Sequence, residues 1–261
     1  MASHAATTAE LHHNDEEHPP PVVWSSKTPI NLMGMLFFIG SEIALFGAFF
    51  MSYFFLRVAG TADYSSWALQ IGEVLPMGLV TINSLILFSS SVTCHYAEIS
   101  LMRGSRGWMK IWLASTIALG VTFLGIQIYE YVELVTHESL GPSTSAYSSV
   151  FFSLTGIHGS HVLVGLILLT VMLTRTLRGH YGPEADKHVG FRTMSVYWHF
   201  VDLVWVAVFM LIYVPGNWER WGDTTVLGMN GHILFFGGAA TIILLLNLPR
   251  LIGKGFPAKA H

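Results

Sequence analysis

The sequence predicts an all-α, polytopic bundle of about six transmembrane helices with both termini in the cytoplasm, and three observations carry that expectation. Of 261 residues, 52% are hydrophobic and only 11% charged, with a mean hydropathy of +0.54. A soluble domain carries about 25% charged residues, so a soluble enzyme or binding module is excluded. The apolar residues gather in six runs, at residues 30–56, 74–95, 108–129, 150–173, 196–214 and 232–248. Each is near the roughly 20 residues that span a bilayer, the last being the shortest. Finally, if the runs alternate from a cytoplasmic N-terminus, eleven of the thirteen Lys and Arg fall on that side, leaving Arg57 and Arg220 opposite. The positive-inside rule expects such a bias. Acids run the other way, with Asp63, Glu73, Glu133, Glu138, Glu219 and Asp223 outside.

In chain order, residues 1–29 form a polar tail that mixes His4, His12, His13 and His18 with acids and ends in Pro19–Pro21. It reads as a solvated arm; the histidine spacing matches no metal motif. Residues 1–30 hold no apolar core followed by a small-residue cleavage site, so no signal peptide is expected. Residues 30–214 hold five runs separated by breakers such as Arg103-Gly104-Ser105-Arg106-Gly107, Gly141-Pro142 and Gly182-Pro183. Residues 215–261 add the sixth run and a basic tail. Cys94 is the only cysteine, which excludes an intrachain disulfide. In the first run Gly40, Ala44 and Ala48 share one face at four-residue spacing, an arrangement suited to close helix packing.

Glu42 lies almost at the middle of the first run. An ionised carboxylate there costs on the order of 3 kcal/mol on insertion scales, so it is expected to be neutral, paired or hidden from lipid. A packing contact and a proton-linked or subunit-contact role both remain open. The other polar groups inside the runs are Asn83, Gln127, Glu130, His158, His161, His199 and Asp202. His158 and His161, three apart, are expected to face nearly the same side of their helix, and His199 and Asp202 to share a face of theirs. Such imidazoles could ligate haem or copper. Interhelical or headgroup contacts are favoured, because His158 and His199 read as lying near opposite membrane surfaces. No metal site is expected.

Three stretches are more specific. TGIHGSHVLVG at residues 155–165 resembles the H-G-x-H-V-x-x-G signature of subunit III of haem–copper oxidases, the cytochrome c oxidase subunit III family. YWHFVDLVW at residues 197–205 resembles that family's last-helix run, and Ser41-Glu42 after FFIG resembles its intramembrane S-E pair. The resemblance covers residues 30–214 and implies a short bacterial form, five family helices without the family's first two. It implies a non-catalytic, multi-pass subunit of an aerobic respiratory oxidase in a bacterial inner membrane. Electron transport and oxygen reduction to water, with proton translocation, would then occur in subunit I. Haem and copper would belong to subunits I and II, and this chain would bind phospholipids but no cofactor of its own. Glu42 would contact subunit I. His158, His161, His199, Asp202 and Glu130 would serve lipid contact or helix packing. Arg175, Arg178, Lys187 and Arg192 would meet cytoplasmic headgroups. A respiratory supercomplex is a further expected partner, and nucleic acid is not. Two departures stand out: the missing helices remove one wall of the family's lipid cleft, and residues 232–248 have no family counterpart. The same motifs fit a quinol oxidase or a nitric-oxide-reductase relative. A stand-alone proton-coupled transporter using Glu42 and Glu130 is the alternative of a different class, against which stands the lack of an internal repeat.

Overall fold

A computed structural model describes residues 30–59, 76–179, 189–215, 217–223, 225–226 and 228–251. The N-terminal tail, the first connector with Asp63 and Glu73, the loop carrying Lys187 and the last ten residues lie outside these. The elements are α1 (Ile30–Ala59), α2 (Met77–Met102), α3 (Arg106–Thr136), α4 (Ala146–Leu177) and α5 (Val189–Val208). A π-helical turn, Phe209–Tyr213, continues α5, with the Val214 N–H donating to Phe209 O at 3.1 Å. Then come α6 (Trp218–Asp223), a two-stranded hairpin of β1 (Thr225–Val226) and β2 (Met229–Asn230), and α7 (Gly231–Leu251). Among the described residues, five helices are long and apolar enough to cross a membrane; α7 contributes a shorter apolar stretch, Gly231–Leu246.

The helices alternate in direction, which contacts establish without reference to any membrane. From α4 to α5, Gly165 meets Trp198, His158 meets Trp205 and Phe151 meets Tyr213, in opposite chain order. From α1 to α4, Glu42 meets His161 and Tyr53 meets Tyr147. Thr93 meets Thr116 and Asn83 meets the Phe123 carbonyl, so α2 opposes α3. Helix α7 runs parallel to α2, with Gly238 beside Leu85 and Leu245 beside Tyr96. Arg103, Arg106, Lys110, Arg175, Arg178 and Arg192 therefore share one end of the bundle, and Glu133 and Glu138 mark the other.

Burial ranks the helices. In α5, 61% of the apolar window is buried, against 6% in α1. Three indoles dock on hydroxyls of α2: Trp198 Nε1 donates to Ser90 Oγ at 3.0 Å, Trp205 to Ser84 at 2.9 Å and Trp221 to Thr81 at 2.9 Å. Each hydroxyl gives its own proton back to a carbonyl of α2, so both partners are satisfied inside the core. The small residues expected to pack α1 do not do so among the described residues: Gly40, Ala44 and Ala48 are exposed. Helix α1 instead docks by the bulky stripe Ile39, Phe46 and Tyr53, at seven-residue spacing.

The helices outrun the apolar runs that announce them. Helix α2 continues through Glu98 to Met102, where Gly104 at φ +73° turns the chain. Helix α4 begins at Ala146, capped by Ser145 Oγ accepting from the Ser148 N–H at 3.0 Å. His158 and His199 are consequently mid-helix, correcting the expectation that they lie near helix starts.

Candidate functional site

The three motif-bearing stretches meet at one junction. Helix α1 brings Glu42, whose Oε2 lies 2.8 Å from His161 Nε2 on α4. His161 Nδ1 lies 2.8 Å from the Ile157 carbonyl one turn back, so Nδ1 carries a proton and donates it there. Nε2 is then either an acceptor from a protonated Glu42 or the second N–H of an imidazolium facing a carboxylate. Both arrangements carry zero net charge, which removes the cost of an isolated charge within the bilayer. Helix α5 completes the junction: Tyr197 OH donates to the His161 carbonyl at 3.1 Å, and Phe38 packs on the Tyr197 ring. Phe46 lies against the imidazole at 5.3 Å. The side chains of Glu42 and His161 are 14% and 15% exposed, so the pair is nearly closed off yet sits under the outer surface of α1.

His158 does not join it. Its ring is buried between Phe123 and Trp205, at centroid distances of 6.0 and 4.9 Å. Three residues of helix turn the two imidazoles by about 300°, enough for one to face the core and the other α1. His199 and Asp202 share a face as expected, and Ser91 of α2 joins them: its Oγ lies 3.0 Å from His199 Nδ1 and donates to Asp202 Oδ2. Glu130 is buried at the acidic end, accepting from Tyr213 OH at 3.3 Å. Beside it opens a small pocket of about 60 Å³ bordered by Tyr129, Glu133 and Glu138. Arg175, Arg178 and Arg192 are exposed at the basic end, while Lys187 lies outside the described residues.

Sequence reasoning missed Ser91, Glu98, Ser195, Tyr197 and Tyr213 as polar members of these clusters. Glu98 accepts from Ser195 Oγ at 2.9 Å. The second apolar run ends at His95, before Glu98. Hydroxyls escape notice because a lone Ser or Tyr in a helix is unremarkable until its partner is known. The signal that could have found them is the spacing of Ser91 and Glu98 on α2 against Ser195 and Asp202 on α5, seven residues in both cases.

Among the described residues, no three His, Cys, Asp or Glu side chains converge as metal ligands would. A family model described as cytochrome c oxidase subunit III matches residues 25–218, which ends before α7. Similar proteins include cytochrome c oxidase subunit 3 of Thermostichus vulcanus, 36% identical over 184 residues, covering 70% of this chain and 86% of that protein. The cytochrome c oxidase subunit 3 of Alkalihalophilus pseudofirmus is 36% identical over 199 residues, 76% and 92% of the two chains. Quinol oxidase subunit 3 of Bacillus subtilis is 34% identical over 197 residues, 75% and 93% of the two chains.

Proposed function

Because the chain belongs to the cytochrome c oxidase subunit III family, we propose that it is the non-catalytic subunit III of an aerobic haem–copper oxidase in a bacterial inner membrane. It packs on subunit I, which reduces oxygen to water and pumps protons, and it sustains that turnover. Haem and copper belong to subunits I and II. Three intramembrane histidines support that division: His161 is committed to Glu42 and Ile157, His199 to Ser91, and His158 is enclosed by aromatic rings. The observation that carries the reading is the junction itself: all three family stretches converge on His161.

The exposed face of α1 supports a protein neighbour. Phe37, Met51 and Phe55 are 75, 72 and 69% exposed, beside the small residues Gly40, Ala44 and Ala48. That combination allows a second helix to approach closely in lipid. Glu42 lies beneath this face, and its bond to His161 holds α1 on α4 when subunit I docks. Lipid binding is supported by a groove of about 520 Å³ between α3 and α4, bordered by Ile117, Val121, Leu163 and Ile167. With the basic end in the cytoplasm, Arg175, Arg178 and Arg192 suit anionic headgroups there.

Glu42 provides the test. Glu42→Gln keeps a donor toward His161 but abolishes the ionised form, and Glu42→Leu removes the contact. The expected result is that Glu42→Leu shortens the number of turnovers before the oxidase inactivates, with Glu42→Gln milder. Wild-type endurance and pumping in both variants would sink this role.

A further inference from the structure

Helices α2 and α5 face each other through two polar stripes, for which the family reading offers only lipid contact or helix packing by His199 and Asp202. On α2 the stripe is Ser91, Cys94, His95 and Glu98; on antiparallel α5 it is Asp202, His199 and Ser195. They interlock along their length. At the basic end Ser195 Oγ donates to Glu98 Oε2 at 2.9 Å, and Cys94 Sγ lies 3.9 Å from Ser195 Oγ. Ser91 then bridges His199 Nδ1 and Asp202 Oδ2. Glu98 is half-buried four residues from the end of α2, whereas Asp202 is 5% exposed and its Oδ1 has no partner among the described residues. The seam descends about 10 Å into the bundle, seven residues at 1.5 Å each.

We propose that these facing stripes form a proton-binding inlet, in which Asp202 exchanges its proton with the solution at the basic end of the bundle through Ser91 and His199, water carrying the proton between His199 and Glu98 at the mouth. The Ser91 hydroxyl makes the exchange stoichiometric. In the relay Asp202 is the protonated acid and donates to Ser91 Oγ, and the Ser91 hydroxyl is turned from Asp202 to His199 Nδ1, 3.0 Å away; as the carboxyl proton passes to Ser91 Oγ, the hydroxyl proton of Ser91 passes to His199 Nδ1. One O–H bond is lost at Asp202, one N–H bond is gained at His199, and the serine hydroxyl is regenerated. The cluster moves from carboxylic acid plus imidazole to carboxylate plus imidazolium at constant net charge, so neither arrangement strands a lone charge in the core. Protons arrive and leave at the mouth, where Glu98 is the carboxylate in reach of solution.

Arg103 and Arg106 flank the turn at the mouth end of α2. Lys110 on α3 and Arg192 on α5 stand toward the basic end, and Cys94 and His95 border the seam itself. Glu42 of α1 is paired with His161 of α4, His158 of α4 is enclosed by Phe123 and Trp205, and Glu130 and Glu133 of α3 lie toward the opposite end. His232 of α7 stacks on Trp218, also away from the seam.

The experiment is infrared spectroscopy of the full-length chain with its copurifying partners in liposomes, comparing wild type with Asp202→Asn. The expected wild-type-minus-variant difference holds a protonated-carboxyl band that moves on transfer to D2O. Ser91→Ala and Glu98→Gln should each slow that exchange by about tenfold, the rate equivalent of one lost hydrogen-bonded link. Absence of the band, a band that never exchanges, or exchange at the wild-type rate in both variants would overturn the inlet. Should Asp202→Asn fail to assemble, Asp202→Glu keeps the acid and must shift the band; an unmoved band belongs to another carboxyl and overturns it equally.

Discussion

Trp198 dictates what two neighbouring helices can carry. A Cβ on Gly165 would lie 2.7 Å from its six-membered ring, and one on Gly120 would lie 2.9 Å from it. Its N–H is held by Ser90, so the ring cannot swing away without losing a buried hydrogen bond. Gly165→Val should therefore destabilise the fold by about 1–3 kcal/mol, the range for overpacking a close-packed core. Thermal unfolding in detergent should show a clearly lowered midpoint; an unchanged midpoint would mean that Trp198 has room to move. At this scale the sequence was informative about acids and nearly silent about their partners. Glu42 stood out because a charge in an apolar run is costly wherever the helix lands. Its pairing with His161 depends on which helices touch and in what register, and apolar composition does not encode that. Ser91 was invisible for the same reason.

Helix α7 lies beyond the residues that the family model matches, and its docking is specific. Gly238 lets it close on Leu85, and Phe235 stacks on Phe209 at 4.7 Å. Near its end, Pro249 has no N–H to give the carbonyl four residues earlier, that of Leu245. Tyr96 OH of α2 donates to that carbonyl at 3.2 Å. Tyr96→Phe should leave it unsatisfied in an apolar surrounding, at a cost of about 1–3 kcal/mol. The expected outcome is faster proteolysis of the C-terminal segment in detergent while the rest of the bundle resists; identical cleavage would show that the bond is incidental. Apolar runs located all six long helices but cut them short. Charged residues such as Glu98, Arg106 and Glu133 are tolerated at helix ends in the headgroup region, so helices continue where hydropathy stops. The glycine turn at Gly104 was readable as a breaker, and its left-handed φ of +73° gives the reason.

For the whole molecule, direction was the most legible property and adjacency the least. Segregation of Lys and Arg implied strict alternation, and the contacts reproduce it down to the parallel pairing of α7 with α2. Which helix lies centrally was not legible, because five similar apolar runs give no reason to place α5 inside and α1 outside. The thin attachment of α1 and its broad apolar face are what a subunit designed for company presents. A chain of this kind should not work alone. The most direct test is to isolate it gently from native membranes and take an optical spectrum, a subunit census and a lipid analysis of the same preparation. Membership in an oxidase complex predicts reduced-haem bands, two larger oxidase subunits and bound phospholipid. A colourless preparation of this chain by itself, active in proton-coupled transport, would contradict it.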